Sequence, residues 1–171
     1  MFKSPSKTFA VGVMTALVLV WIVSLYAQST SKFVAHLSAG QGQSNAQGQA
    51  IFELSEDGTK LDYLLIAANI TNITGAHMHL QAGAEDSPIV AVLYPGPQIS
   101  GRFNGELAEG TITKADLRGP LEGSPLSALI TEMQNRRTSV KVHTAQNREG
   151  EIEGQIRPEE RDSLGAGRPR R

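Results

Sequence analysis

The sequence predicts an all-β domain, built as an antiparallel sandwich or barrel, and three observations support this. Several short segments alternate apolar and polar residues, which is the period of a half-buried strand. Turn-forming pairs such as Asp57-Gly58 separate these segments. Only one segment has helical spacing, whereas a parallel α/β sheet needs a helix between most of its strands. The 17 glycines and eight prolines among 171 residues also fit short elements joined by turns.

The predicted strands follow one another between residues 32 and 157, with turns between them. A polar loop rich in glycine and glutamine follows the first strand, "KFVAHLS". Eight segments alternate or run apolar over seven to ten residues and are predicted strands: 32–38, 49–55, 60–69, 73–81, 87–96, 104–113, 138–144 and 150–157.

Turn signals set the connections between these strands. Asp57-Gly58 predicts a tight hairpin, and Pro95-Gly96-Pro97 closes the fifth strand. Asn104-Gly105 predicts another turn, at the start of the sixth strand. Gly154, inside the last strand, predicts a bulge or a close backbone approach.

One short helix is predicted between the sixth and seventh strands. Ser124 is its expected N-cap and Pro125 its first residue. Apolar residues recur at helical spacing behind them, namely Leu126, Leu129, Ile130 and Met133.

The N-terminus predicts export and an apolar helix ahead of the β-domain. Residues 1–7 form a basic lead with Lys3 and Lys7, and residues 8–27 carry no charge. Twenty residues at about 1.5 Å each span roughly 30 Å, the thickness of the bilayer core. Either a cleaved signal peptide or an uncleaved transmembrane anchor fits this segment. In both cases residues 28–157 face the outside of the cell.

Composition excludes several classes of function. Residues 28–157 contain ten basic and fourteen acidic side chains, a balance of −4, so the domain lacks the basic surface that nucleic acid requires. The chain has no cysteine, which excludes thiolate catalysis and thiolate-bound metal. No nucleophile elbow and no phosphate-binding loop occurs, and the expectation is a protein that is not an enzyme. The tail, residues 158–171, is polar and predicted to be disordered.

Several motifs together resemble the CHRD domain, the family first described in chordin. The resemblance rests on "FVAHLSAG", "GQAIFELSEDGTKLDYLLIAANITNITGAHMHL", "GTITKADLRGPL" and "VKVHTAQNREGEIEGQI", in that order. It implies an extracellular, immunoglobulin-like β-domain of undefined molecular activity, which favours a binding or structural role at the cell surface. The expected partners are the membrane, through residues 8–27 if they are uncleaved, and an unknown protein or surface ligand. The loop "LSAGQGQSNAQ" departs from the family, because it lacks the usual acidic and proline residues.

Three histidines are the candidate site. His77 and His79 are two residues apart on one predicted strand, and His143 lies on another. Side chains two apart on a strand share a face, and each of the three alternates with apolar residues that favour the core. Neutral imidazole nitrogens suit copper or zinc, so one hypothesis is a metal-binding or metal-dependent redox protein that uses these three residues. In the other, each ring holds a backbone carbonyl or a hydroxyl, and the chain has no cofactor.

Four other positions have simpler interpretations. His36 is expected to be a half-exposed strand residue, and Asp116 to cap or pin a turn. Asn69 and Asn72 each begin an Asn-Ile-Thr triplet, the acceptor pattern for N-glycosylation in organisms that modify such sites.

The uncharged segment leads to a prediction about location. After expression in the protein's own host, cell fractionation should leave almost no full-length chain in the soluble cytoplasm, because residues 8–27 direct it to the membrane. A protein found mostly in the soluble cytoplasm at full length would contradict the export interpretation.

Overall fold

The computed structural model describes residues 32–39, 44–81 and 87–159. The predicted basic lead, the predicted apolar helix over residues 8–27 and residues 160–171 of the predicted tail lie outside the described residues. Within the described stretches, no helix is both long enough and apolar enough to cross a membrane.

Strands dominate the described part of the chain, which confirms the all-β prediction. One α-helix, α1, and two short 3-10 helices, Lys114–Asp116 and Gly119–Leu121, accompany them. The strands are β1 (Lys32–Ala39), β2 (Gln47–Leu54), β3 (Leu61–Leu80), β4 (Ile89–Tyr94), β5 (Ile99–Ile112), β6 (Thr138–Thr144), β7 (Ile152–Gln155) and β8 (Arg157–Pro158), and α1 is Leu126–Gln134.

The sheet closes on itself and forms a barrel. Neighbouring strands pair in the order β2-β1-β7-β6-β3, and β3 pairs in turn with β2, which completes the ring. All these pairings are antiparallel. Strands β4 and β5 add to β3, and β8 adds to β1. Of the two predicted architectures the barrel is therefore correct, and the open immunoglobulin-like sandwich is wrong.

Strand β3 is the element that closes the barrel. The sequence predicted two strands, 60–69 and 73–81, but the structure has one strand of 20 residues. Its first half pairs with β2 and β5, and its second half pairs with β6 and β4. A single strand of this length reaches both sides of the barrel, so two separate sheets do not form.

Two asparagines bend β3 between its halves. Asn69 and Asn72 both have a φ of 57°, a left-handed conformation that asparagine tolerates better than most residues. The Oδ1 of Asn69 accepts a hydrogen bond from Nη2 of Arg102 (2.6 Å), and the Oδ1 of Asn72 accepts one from the backbone N–H of Gly101 (2.8 Å). Both side chains therefore fix the bend against β5, and the register between the strands shifts there.

The core determines which way each strand faces. Burying a large apolar side chain contributes about 1.5–3 kcal/mol, so a one-residue slip that turned several of them outward would be very costly. The residues between them must then face away from the core. The largest fully buried side chains are Phe33, Phe52, Leu61, Leu65, Ile70, Ile73, Met78, Ile112, Leu117, Leu129, Met133 and Ile152.

Of the predicted turns, the hairpin at Asp57-Gly58 is confirmed and the one at Asn104-Gly105 is wrong. Gly58 has a φ of 69° in the β2–β3 turn, and Oδ1 of Asp57 accepts hydrogen bonds within that turn. Asn104 and Gly105 instead lie inside β5, opposite β3. The side-chain oxygen of Asn104 accepts a hydrogen bond from the backbone N–H of Asn69. Asn104 therefore helps to hold β3 against β5 at the bend of β3.

The predicted helix forms, although its N-terminus differs. Helix α1 buries Leu126, Leu129, Ile130 and Met133, as its spacing predicted. The N-cap is Pro125 rather than Ser124, and no side chain caps the helix. Ser124 instead donates its backbone N–H to the carbonyl oxygen of Leu121, and so closes a turn that follows the second 3-10 helix.

Ordered structure continues slightly beyond the predicted end of the domain. Arg157 and Pro158 form β8 against β1, and the backbone N–H of Glu159 donates to the carbonyl oxygen of Lys32. The first two residues of the predicted tail, Pro158 and Glu159, are therefore held by backbone pairing with β1.

Gly154 gives a test of the barrel's closure. A Cβ at this position would lie 2.3 Å from the carbonyl oxygen of His36, so β7 can approach β1 only without a side chain there. We expect Gly154→Ala to lower the free energy of unfolding by about 2 kcal/mol or more, measured by urea denaturation.

Gly110→Ala is the matched control for this substitution. A Cβ at Gly110 would meet the Tyr63 side chain at 2.9 Å, and a side chain can move aside more easily than a backbone carbonyl. Equal losses of stability in the two variants would contradict the close approach of β7 and β1.

Candidate metal centre

The structure brings His77, His79 and His143 together on the outer face of the barrel wall. His77 and His79 lie on β3, and His143 lies on the adjacent strand β6, opposite Gly75. One nitrogen from each ring lies within 4.8 Å of the others. The alternation of each strand predicted this shared direction, and the pairing of β3 with β6 supplies the proximity that the sequence left open.

The three rings surround a common point and do not stack face to face. Ring centroids are 4.9 Å apart for His77 and His143, 5.7 Å for His79 and His143, and 6.0 Å for His77 and His79. The ring planes are tilted by 47° to 73°. Imidazoles that bind one metal at about 2.0–2.1 Å hold their nitrogens about 3.3 Å apart, so small side-chain movements would complete such a site.

Backbone carbonyls orient two of the rings. The Nδ1–H of His79 donates to the carbonyl oxygen of Ser87 (2.6 Å), and that of His143 donates to the carbonyl oxygen of Arg148 (2.8 Å). A carbonyl oxygen only accepts, so Nδ1 carries the proton and Nε2 carries the lone pair. Both Nε2 atoms are buried and have no hydrogen-bond partner among the described residues. This is the tautomer in which a histidine binds metal through Nε2.

His77 completes the group from the space above Gly75. Its Nδ1 is also buried without a hydrogen-bond partner in the described part of the chain. A Cβ built on Gly75 would lie 3.5 Å from Cε1 and 3.7 Å from Nε2 of the His77 ring, which is ordinary van der Waals contact. The His77 ring therefore lies over Gly75, the residue that pairs with His143.

Burial favours the neutral forms of His77 and His79. Burial is the main cause that lowers the pKa of His77 from 6.5 to about 4, and the nearby rings of His143 and His79 add to it. Burial also lowers the pKa of His79, although its hydrogen bond to Ser87 opposes the shift. A metal therefore meets little competition from protons at these two rings near neutral pH.

The surroundings of the three rings are charged on one side and apolar on the other. Lys141 lies between Ser139 and His143 on β6 and faces the same way, and the Ser139 hydroxyl is buried without a described partner. On β4, Val92 pairs with His77 and Ile89 pairs with His79, and both apolar side chains are exposed.

The other positions that the sequence singled out lie outside this group. His36 is exposed on β1, and Asp116 forms a capping box with Thr113, as expected for a residue that pins a turn. Sequence reasoning missed the roles of the carbonyls of Ser87 and Arg148. No signal in the sequence marks them, because every residue has a backbone carbonyl.

Comparison with known proteins gives one match. The family model described as CHRD domain matches residues 33–156, which covers the barrel and all three histidines. No curated protein and no solved structure matches the chain.

The lowered pKa values predict that acid destabilises the fold. Between about pH 6.5 and pH 4 a histidine of the unfolded chain binds a proton, whereas His77 in the folded protein stays neutral. The unfolded state then binds more protons, so the free energy of unfolding should decrease as the pH falls through this window. Urea denaturation at a series of pH values measures the slope.

Two variants, His77→Gln and His36→Gln, separate the contribution of His77 to this pH dependence of stability from the contributions of other groups. The first variant should flatten the slope between pH 6.5 and 4.5, and the second should leave it as in the wild type, since His36 is exposed. Carboxylates such as Asp57, whose pKa is lowered to about 2, bind protons mainly below this window. An unchanged slope in His77→Gln would contradict the assignment.

Proposed function

Because the chain belongs to the CHRD domain family over residues 33–156, we propose that it is an extracytoplasmic binding domain whose bound group is a metal ion. His77, His79 and His143 hold the ion, which is copper or zinc. The uncharged segment, residues 8–27, supports the extracytoplasmic setting, since it has the length and composition of an export signal or anchor.

The observation that carries this proposal is that one nitrogen of each of the three rings lies within 4.8 Å of the others, while each ring also has a buried nitrogen without a hydrogen-bond partner among the described residues. A buried polar atom without a partner costs free energy, and a ligand shared by the three rings would remove that cost. Neutral nitrogen donors suit zinc and copper, whereas magnesium and calcium prefer oxygen. The chain has no cysteine, so thiolate takes no part.

A purely structural domain is the second candidate, and a different observation favours it. His79 and His143 hold the backbone at Ser87 and Arg148, so both rings already fix the segments that flank the site. This role uses only one nitrogen of His79 and one of His143. It involves no hydrogen bond of His77 among the described residues. The structural role and metal binding are therefore compatible, because in metal sites the second nitrogen of a histidine is usually held in this way.

Metal titration tests the proposal. Full-length protein without a histidine tag, purified in a neutral detergent, should bind one zinc or copper ion per chain in isothermal titration calorimetry. Loss of a ligand should weaken binding more than the 10–100-fold that loss of an outer hydrogen bond typically costs, so we expect His143→Ala to weaken it at least about 100-fold.

His36→Ala is the matched control, since it removes an exposed histidine of β1 outside the site. It should bind metal as the wild type does. Equal binding by His143→Ala and the wild type, or no binding by the wild type, would leave the structural role as the function of the three histidines.

A further inference from the structure

We infer that Glu151 is a positioning residue of the metal centre. Its carboxylate holds the turn between β6 and β7, residues 145–150, and so fixes the tautomer in which His143 presents Nε2 to the metal. The inference rests on the proposed metal centre and adds the residue that prepares one of its ligands. The two histidines that backbone carbonyls orient differ in how those carbonyls are held.

The carbonyl that orients His79 is held by backbone pairing. It belongs to Ser87, which precedes Pro88, and the carbonyl oxygen of Pro88 accepts a hydrogen bond from the backbone N–H of Leu80 (2.9 Å). Leu80 is the residue that follows His79, so this bond keeps Ser87 beside the ring that it orients. The contact therefore follows from the pairing of the two chain segments.

The carbonyl that orients His143 lies instead in a turn that side chains help to hold. It belongs to Arg148, which follows Asn147 in the turn. The side-chain amide of Asn147 donates a hydrogen bond from Nδ2 to Oε2 of Glu151. The Thr144 hydroxyl donates to the same Oε2 (3.3 Å) and accepts from the backbone N–H of Asn147 (3.0 Å). Asn147 is thus fixed through its side chain and its backbone, next to Arg148.

Backbone hydrogen bonds hold both ends of the turn independently of the Glu151 carboxylate. The N–H of Ala145 donates to the carbonyl oxygen of Asn72 (2.9 Å), and the N–H of Glu151 donates to that of Val142 (2.8 Å). Within the turn, two backbone N–H groups donate to the carbonyl oxygen of Asn147, both at 3.2 Å, the long end of the usual range. Loss of the carboxylate should therefore loosen the middle of the turn and leave the strands paired.

The charge of Glu151 suits it to this role. A hydrogen bond from the Ser44 side chain is the largest cause that lowers the pKa of Glu151. Burial opposes the shift, and hydrogen bonds from Asn147 and Thr144 add to it. The carboxylate is therefore ionised near neutral pH, and hydrogen bonds to an ionised acceptor are roughly twice as strong as those between neutral groups.

The position of the turn matters for metal binding because the tautomer of His143 depends on it. Nδ1 keeps its proton while the carbonyl oxygen of Arg148 accepts from it. When the turn loosens and this acceptor moves away, the proton is free to move to Nε2. That nitrogen then no longer offers its lone pair, so the ring must lose this tautomer before Nε2 binds a metal.

The tautomer can be measured without metal. The sample is isotope-labelled full-length protein in a neutral detergent, stripped of metal by a chelator, at about pH 8, above the ordinary pKa of histidine. Long-range proton–nitrogen NMR spectra distinguish a protonated Nδ1 from a protonated Nε2. In the wild type, His79 and His143 should both carry the proton on Nδ1. In Glu151→Ala, the proton of His143 should move to Nε2 in a large fraction of the molecules, and His79 should keep its tautomer.

Two further variants control this measurement. Glu149→Ala is the matched control, since it removes an exposed carboxylate from the same turn, and it should leave both tautomers as in the wild type. Glu151→Gln keeps an oxygen that can accept from Thr144 and Asn147, so it should retain most of the Nδ1 protonation of His143. An unchanged His143 in Glu151→Ala, or the same change in Glu149→Ala, would overturn the positioning role. Equal changes at His79 and His143 would also overturn it, because they indicate a general loss of structure.

Zinc titration by calorimetry connects the tautomer with the metal centre. Glu151→Ala should bind zinc about tenfold to a hundredfold more weakly than the wild type, the typical cost of losing an outer hydrogen bond, and Glu149→Ala should bind as the wild type does. A wild type that binds neither zinc nor copper would overturn the metal centre itself, while the metal-free tautomers would still decide whether Glu151 orients His143. Undiminished zinc binding by Glu151→Ala, despite a changed tautomer, would overturn only the role of Glu151 in metal binding.

Discussion

The alternation of buried and outward-facing residues on β3 and β6 is the constraint on which the rest of the site depends. Ala76, Met78, Val140 and Val142 are fully buried. Because side chains alternate along a strand, the burial of these four residues forces their immediate neighbours in the sequence, the three histidines among them, to the other face. The direction of the three imidazoles is therefore set by the packing of the core, and the antiparallel pairing of β3 with β6 then sets the distance between them.

The site combines this fixed frame with an environment that favours the neutral forms of two rings, those of His77 and His79. Partial burial disfavours the imidazolium form, and the proximity of the rings disfavours it further for His77. The carbonyls of Ser87 and Arg148 select the tautomer of the other two rings. The same features that weaken the fold in acid would favour the binding of a metal by these nitrogens, so the cost in stability and the proposed metal binding would have one physical origin.

The sequence predicted the direction of the histidines better than the path of the chain. Periodicity correctly indicated the β class, the buried face of α1 and the hairpin at Asp57-Gly58, because these depend on local spacing and turn chemistry. It failed at Asn69 and Asn72, where backbone bends continue β3 as one strand, because nothing local distinguishes a bend from a loop. It also missed the carbonyls that orient His79 and His143, since any residue can supply a carbonyl and only the tertiary fold brings it there.

The central claim is that the register of β3 and β6 prepares three imidazole nitrogens for one metal ion. The most direct measurement is the anomalous difference map of a crystal grown with zinc and recorded at the zinc absorption edge. The account predicts one peak per chain about 2.0–2.1 Å from a nitrogen of His77, His79 and His143, with the carbonyl hydrogen bonds of His79 and His143 retained. A peak that contacts only one of these rings, or zinc bound elsewhere with the three rings unchanged, would contradict it.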